Sequence, residues 1–523
     1  MVLFRGPPLS KMSCADLVYN KYKMTGSRQN EPQQSLSYSI RDGVFASIQQ
    51  GAGESYISPF AIFLNASNTQ IGLLASIPLL LGACFQFVSV KVLDLLQKRK
   101  KVILLGAGLQ ALVWIPLFWL PFLFPNHAAS LVIFCATAYF LAGNFATPAW
   151  NSLMGDLVPT ATRGSYFGLR SKYNSIAAFI ALCIGGLILH YAERTSYPWL
   201  GFSVLFSAVL AARLISVYYL SRMSEPIYRV DPNSDVRILD FFRQHRHSNF
   251  MTFVYYTAGM HFAILIASPF FVVYMLRDLH FTYLQFMAAS ATSVLVQFLT
   301  MHYWGRFSDR FGNKRILTLT GLGLPFLPML WLLSTDFVYI VSIQIMGGLI
   351  WAGFVLSMGN FVFDTVAPPQ RAKAVAIYNT MNASAAFLGA SLGSWLSTFL
   401  SPSLSLGILQ HTFISNLPLL FLISGCLRLL WVFFFLPKLK EAREVETLSM
   451  QDLLFRVTHL RPISGVRFDV FTDYRGNGGS GQESHAPPVQ VPMTSVSPAP
   501  PPAAIREEYP TASDQKSPPV LKG

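Results

Sequence analysis

The sequence predicts an all-α integral membrane protein with twelve transmembrane helices arranged as two pseudo-symmetric six-helix bundles. Of the 523 residues, 52% are hydrophobic and only 12% are charged, which is about half the charged fraction of a soluble domain. The apolar residues gather in twelve runs, each close to the roughly 20 residues that a membrane-spanning helix needs. The basic residues gather in every second connection between these runs.

The twelve runs fall into two groups of six. A polar stretch separates the groups, and further polar segments precede and follow them. The predicted spans are 43–63, 69–90, 102–123, 129–150, 171–191 and 198–220, then 249–275, 281–303, 315–335, 337–363, 372–400 and 412–436.

These spans define five segments of the chain. They are a polar N-terminal tail (1–40), an N-terminal bundle (41–220), an inter-domain loop (221–248), a C-terminal bundle (249–436) and a C-terminal tail (437–523). The last segment is rich in Pro, Ser and Gly and cannot bury a core, so we expect it to be largely disordered.

The distribution of Lys and Arg predicts the orientation. The even-numbered connections carry 19 of these residues, whereas the odd-numbered ones carry only Arg194 and Arg277. The positive-inside rule therefore places the even connections and both termini in the cytoplasm, with the protein in the cell (inner or plasma) membrane. Because the charges lie in short clusters between apolar runs, the net charge of +14 does not indicate nucleic-acid binding.

The two halves repeat each other. Moving the first half by 215 residues places Asp94 on Asp309. Moving it by 208 residues matches a second set, and a difference in loop length accounts for the change of offset. The second set pairs Asp156 with Asp364, Arg163 with Arg371 and Asn174 with Asn382. The pattern indicates a duplicated six-helix unit.

The stretch GRFSDRFGNKRIL follows the eighth span. It resembles the cytoplasmic signature of the major facilitator superfamily (MFS), G-x-x-x-D-R-x-G-x-[KR], and the first-half counterpart keeps Asp94 and a basic run but lacks both glycines. The matching residues are Gly305, Asp309, Arg310, Gly312 and Lys314. Other stretches, such as RDGVFASIQQGAGESY, are similar to bacterial members of this superfamily. The resemblance implies the MFS fold and transport by alternating access, without identifying a substrate subfamily.

The resemblance also implies a conformational latch. Gly305 is expected to let the eighth helix pack closely, and Gly312 to permit a tight turn into the ninth. Asp309 is expected to face the start of the fifth helix, near Arg170, and Asp94 the start of the eleventh, where a carboxylate is favoured by the helix dipole. In the alternative interpretation, the charges of this loop only orient the protein.

Ionisable residues within spans are candidates for function, because a charge in lipid is costly. Glu54 lies between two glycines and a proline in the first span, and it is our candidate proton carrier; the alternative is a structural carboxylate. Arg428, in the twelfth span, is expected to reach towards the cytoplasm.

Several polar residues could bind substrate or, equally, neighbouring helices; they are Asn144, His261, Gln297, Asn379 and Asn382. Four charged residues at the cytoplasmic boundary are expected to serve as caps or latches; they are Asp156, Arg163, Asp364 and Arg371.

The sequence therefore favours a secondary active transporter of a small molecule that is neutral, amphipathic or weakly charged. We expect proton coupling through Glu54, a monomer in the lipid bilayer, and export rather than uptake; the alternative energy source is the substrate's own gradient. No catalytic, nucleotide-binding or metal-ligand motif is present, so an enzyme, a cofactor and a metal site are not expected. The alternative is a transporter-like membrane scaffold or sensor that recruits partners through its basic loops and C-terminal tail.

Overall fold

The computed structural model describes residues 30–159, 162–226, 248–366, 371–406 and 409–441. Most of the predicted inter-domain loop, residues 1–29 of the predicted N-terminal tail and nearly all of the predicted C-terminal tail lie outside these ranges. The described chain is helical except for one antiparallel hairpin, β1 (Ser403–Leu406) and β2 (Leu409–Thr412). The helical segments are α1 (Asn30–Ile48, Gln49–Glu54 and Ser55–Phe63), α2 (Asn68–Leu96), α3 (Arg99–Leu112 and Trp114–Leu123), α4 (Ala128–Leu157), α5 (Arg163–Glu193), α6 (Trp199–Arg222), α7 (Asn249–Ala267, Phe270–Val273 and Tyr274–Asp278), α8 (Tyr283–Phe311), α9 (Asn313–Gly323 and Phe326–Leu330), α10 (Phe337–Thr365), α11 (Arg371–Phe399) and α12 (Leu417–Phe435).

The twelve segments follow the order of the twelve predicted spans. Among the described residues, nine of them are long and apolar enough to cross a membrane; the other three are α1, α9 and α11. These three are more polar or are interrupted, as α9 is between Gly323 and Phe326. Pro325 lies in that gap and lacks the N–H that would continue the helix.

Equivalent helix starts in the two halves use the same cap. Ser67 accepts a hydrogen bond from the backbone N–H of Gln70, whose side chain accepts one from the backbone of Ser67. Thr282 and Gln285 form the same capping box at the start of α8. The two boxes are 215 residues apart, the offset that also relates Asp94 to Asp309. The structure thus repeats a local device as well as the helix order.

The first helix begins at Asn30, well before the predicted span at residue 43. The polar side chains of its first turns point into the bundle, where they contact the end of α4 and the residues just after α6. The Ser35 hydroxyl lies 2.7 Å from that of Ser224, and the Ser39 hydroxyl donates to the sulfur of Met154 at 3.5 Å. Hydropathy alone cannot detect a helix whose buried face is built from serines.

The two ends of the bundle differ in how the halves meet. We call the end that carries the even-numbered connections the basic end, and the opposite one the neutral end. At the neutral end one hydrophobic core runs through both halves, and Arg277 donates to Asn68 at 2.8 Å while Ser394 donates to the carbonyl of Thr69 at 3.3 Å. Towards the basic end the described apolar residues form separate cores, each within one half.

A glutamate ties the exit of each bundle to the start of its third helix. Glu225, just after α6, accepts from the backbone N–H of Lys100 at 3.2 Å, and Glu441, after α12, accepts from that of Lys314 at 2.8 Å. Both carboxylates therefore lie at helix N-termini, where the free N–H groups and the helix dipole favour an anion. We refer to these contacts as the glutamate caps.

Candidate functional site

A polar cavity of about 430 Å³ lies inside the N-terminal bundle. Helices α1, α3, α4, α5 and α6 contribute its walls. Its charged or polar lining residues include Asp42, Ser47, Gln49, Gln50, Glu54, Gln110, Tyr139, Asn144, Thr147, Arg170, Asn174 and Arg213. Such a volume is in the range of small-molecule sites.

The first helix widens into a π-helix at Gln49–Glu54, beside this cavity. Two glycines allow the helix to lie close to its neighbours. A methyl group on Gly51 would lie 2.0 Å from the carbonyl oxygen of Ala178, and one on Gly53 would lie 2.6 Å from the Trp114 ring. Short π-helical segments are frequent at functional sites, because they turn side chains out of the regular helical phase.

Glu54 ends this segment and is partly exposed to the cavity. The hydroxyl of the buried Tyr139 donates to Glu54 Oε1 at 2.5 Å. The Gln49 amide donates in turn to the Tyr139 hydroxyl, and the ring of Trp114 packs edge-on against Tyr139 at 5.3 Å between centroids. The carboxylate is thus held by a chain of two buried side chains on α1 and α4.

A second carboxylate, that of Asp42, lines one side of the same cavity. Arg170 contacts Asp42 Oδ2 at 3.4 Å, and its guanidinium stacks over the Trp150 ring at 4.5 Å. The Ser216 hydroxyl donates to Asp42 Oδ1 at 2.7 Å and accepts from Arg213 at 2.9 Å. Four helices are connected through these side chains.

Arg213 lines the same cavity as the two carboxylates. It is joined to Asp42 through the Ser216 hydroxyl, and it donates to the Gln110 side chain at 2.6 Å. Its Nε and the Oε1 of Gln49 are buried and have no hydrogen-bond partner among the described residues. The cavity therefore contains two carboxylates, two guanidinium groups and unused hydrogen-bonding capacity, which suit it to binding a polar solute and a proton.

Two of the six predicted substrate or proton candidates line this cavity, namely Glu54 and Asn144. Asn144 is also engaged between helices, since it accepts from Gln86 of α2 at 2.6 Å and donates to the carbonyl of Phe140 at 2.9 Å. The bundle interior thus uses Asn144 to hold α2 against α4.

The other four candidates belong to the C-terminal bundle and do not line the cavity. His261 Nδ1 is bonded to the carbonyl of Thr257 on its own helix at 2.8 Å. Asn382 is buried, with its amide oxygen unpartnered among the described residues, whereas Asn379 is exposed and Gln297 is partly buried.

The signature residues occupy the basic ends of α8 and α9. Gly312 has a φ of 88° at the turn between the helices, a conformation that favours glycine. Asp309 and Asp94 are exposed, the Arg310 guanidinium lies over the Phe311 ring, and the Lys314 backbone forms one of the glutamate caps. The expected close packing at Gly305 is not formed in this conformation: no atom of the described residues lies within 4 Å of a methyl group added there.

The boundary aspartates bind within their own halves. Arg99, which is buried, pairs with Asp156 at 2.5 Å, and Asn313 donates to Asp364 at 2.6 Å. Both contacts join the start of the third helix of a bundle to the end of its fourth. Arg163 and Arg371 are the first residues of α5 and α11, and their side chains lie outside the described part of the structure.

Arg428 does not reach towards the basic end as the sequence suggested. It is buried and donates to the carbonyls of Leu324 and Ile264 at 3.2 and 3.5 Å. The Leu324 carbonyl would meet the N–H of residue 328 in a regular helix, but that residue is Pro328. Arg428 therefore replaces a missing backbone donor, which is a structural role.

Comparisons with known proteins agree with this architecture. The sequence model of the Major Facilitator Superfamily matches residues 43–273 and 249–478. A curated relative, the mouse (Mus musculus) "Major facilitator superfamily domain-containing protein 10", is 27% identical over 180 residues, which cover 34% of this chain and 35% of the mouse protein. The alignment thus spans about a third of that relative's length.

Solved structures with the same fold include several transporters. A variant of the nucleoside transporter NupG superposes with a TM-score of 0.60 at 16% identity, covering 78% of this chain and 100% of that one. A D-xylose-proton symporter superposes with a TM-score of 0.59 at 12% identity, covering 79% and 99%. Such low identities establish the fold alone. Through the family match and this fold, the chain belongs to the major facilitator superfamily, and it is a multi-pass membrane protein.

Proposed function

We propose that the protein is a proton-coupled secondary transporter that binds its small-molecule substrate in the N-terminal cavity. The observation that carries the proposal is the placement of Glu54. Its carboxylate ends a π-helical segment, is partly exposed to a polar cavity and accepts a hydrogen bond from a buried tyrosine. A carboxylate in that position can exchange a proton with the cavity while remaining shielded from lipid.

The conformational cycle alternates between a state open at the basic end and one open at the neutral end. Continuous packing at the neutral end and open space at Gly305 support assignment of this structure to the first state. With the basic end in the cytoplasm, as the positive-inside rule indicates, the cavity here faces the cytoplasm. We further propose that the protein acts as a monomer in the cell membrane with both termini cytoplasmic.

Helix register supports the latch. Gly186 of α5 packs on Met287 of α8 at the neutral end, and Gly72 of α2 packs on Ser394 of α11. Counting 22 residues from Met287 and from Gly186 towards the basic end reaches Asp309 on α8 and residue 164 on α5, which therefore lie at the same level. The same count from Gly72 and from Ser394 reaches Asp94 on α2 and residue 372 on α11. Each aspartate then meets the first turn of the opposite helix once the basic ends close.

Substitution of Glu54 tests the proposal. The purified protein in liposomes is screened for substrate accumulation with and without an imposed proton gradient. Glu54→Gln should abolish gradient-driven, pH-dependent accumulation but retain downhill exchange, because glutamine imitates the protonated acid and cannot release a proton. Glu193→Gln makes the same chemical change at an exposed residue and should behave as wild type. Full accumulation by Glu54→Gln would place the coupling site elsewhere.

A further inference from the structure

The charges of the N-terminal cavity balance only when Glu54 is ionised. Its charged lining residues are Asp42, Glu54, Arg170 and Arg213. Asp42 is bonded to Arg170 directly and to Arg213 through Ser216, so it is committed to the guanidinium groups. Protonation of Glu54 therefore leaves one of the two guanidinium charges of the cavity lining without a counter-charge.

An uncompensated charge inside a membrane protein is costly. A substrate anion that binds when Glu54 is protonated restores neutrality, and the empty cavity with ionised Glu54 is neutral as well. A cationic substrate that exchanges with the proton would instead leave a net positive cavity in both loaded states. The charge balance thus favours an anion that moves with a proton.

We propose that the substrate is a small organic monoanion that binds beside Arg213 together with a proton on Glu54. The proposal rests on the proposed function, because it uses Glu54 as the proton site. In the binding step a proton from the aqueous cavity attaches to the Glu54 carboxylate and the anion takes over its place as counter-charge; no covalent bond to the substrate forms or breaks.

The wall of the cavity fits this class of ligand. Arg213 Nε is a buried donor without a partner among the described residues, and movement of Arg213 away from Gln110 frees the rest of its guanidinium edge for a carboxylate. Tyr139, Phe140 and Trp150 supply aromatic surface. Where protons flow inward, such coupling drives uptake, in place of the export that the sequence favours.

The test measures binding to the purified, detergent-solubilised full chain by isothermal titration calorimetry. The probes are propionate, benzoate and 2-naphthoate, each beside its uncharged amide. Titrations in buffers of different ionisation enthalpy count the protons taken up per ligand. At least one carboxylate should bind tenfold or more tightly than its amide, with uptake of one proton. Above the pH at which Glu54 titrates, its affinity should fall about tenfold per pH unit.

Variants assign the effect to residues. Arg213→Gln should remove the preference for the carboxylate, whereas Arg222→Gln, which removes the same charge from an exposed position of the same helix, should keep it. Glu54→Gln should bind the carboxylate without proton uptake and without pH dependence. The comparison of acid with amide on the wild type requires no variant to fold.

Three results would overturn the proposal. If no carboxylate binds, or if acids and amides bind equally, the substrate is not an organic anion; the transport test of Glu54→Gln still stands by itself. If a carboxylate is preferred but binds without proton uptake, the anion and the proton are not coupled at this site.

Discussion

Replacing Gly305 by leucine should hold the basic ends of α5 and α8 apart. The two helices touch at the neutral end, where Gly186 packs on Met287. Eighteen residues further along each helix, Gly168 and Gly305 occupy the same level, and no described atom lies within 4 Å of a methyl group added to either one. Two glycines at matching levels indicate that these helix surfaces meet when the basic end closes.

The size of the effect follows from the contact that already exists. A methyl group on Gly186 would lie only 2.4 Å from Met287 Cβ, so the helices leave no room for a side chain where they touch. If the basic ends approach as closely, a leucine at position 305 overfills the contact at a cost of about 1–3 kcal/mol. Such a cost depopulates the closed state about 5- to 150-fold.

The assay combines transport with accessibility. With a single Thr147→Cys reporter in the cavity and the native cysteines replaced by serine, Gly305→Leu and Gly168→Leu should slow transport and increase maleimide labelling from the basic side. Gly108→Leu, at a glycine of α3 that also faces open space, is the matched control. Wild-type transport and labelling in both interface variants would refute the reasoning.

Three further predictions concern topology, the latch and stability. Reporter fusions at Asn126 and Ser401 should appear outside and fusions at Lys100 and Asp235 inside; an outside signal at Asp235 would contradict the six-plus-six arrangement. Asp309→Asn should lower transport without loss of folded protein, because it removes about 0.3–2 kcal/mol of helix-terminus attraction, and unchanged labelling from the basic side would reduce Asp309 to an orienting residue. Asp156→Ala should destabilise the solubilised protein by about 1–3 kcal/mol in thermal unfolding, since Arg99 is 1% exposed but Asp156 is 52% exposed; an unchanged midpoint would show that water replaces the pair.

The helix order and the position of Glu54 were predictable, because both depend on local hydropathy. Asp42 was not, since it stands at the edge of an apolar run and resembles a boundary residue. The helix actually starts at Asn30, which places Asp42 inside the bundle and leaves it 3% exposed. Only the position of other helices decides whether such a residue faces water.

Arg213 was missed for a different reason. It lies in the middle of the sixth span, so the rule that an ionisable residue within a span is a candidate for function applies to it as it does to Glu54. For Tyr139, Gln110 and Asn144, the sequence did not indicate the hydrogen-bonding partner. A neutral polar residue in a helix is equally compatible with contact to a substrate and with contact to a neighbouring helix. Long-range packing makes that choice.

The glutamate caps have a mechanical consequence. Glu225 and Glu441 bind the first turns of α3 and α9. In each bundle, the chain that leaves the last helix is therefore bonded to the start of the third helix. Tension applied to the chain beyond Glu225 or Glu441 therefore acts on the first turns of α3 and α9, whereas α1, which carries Glu54, takes no part in either contact. Replacement of Glu441 by glutamine would keep the shape of this contact but remove the negative charge from the first turn of α9.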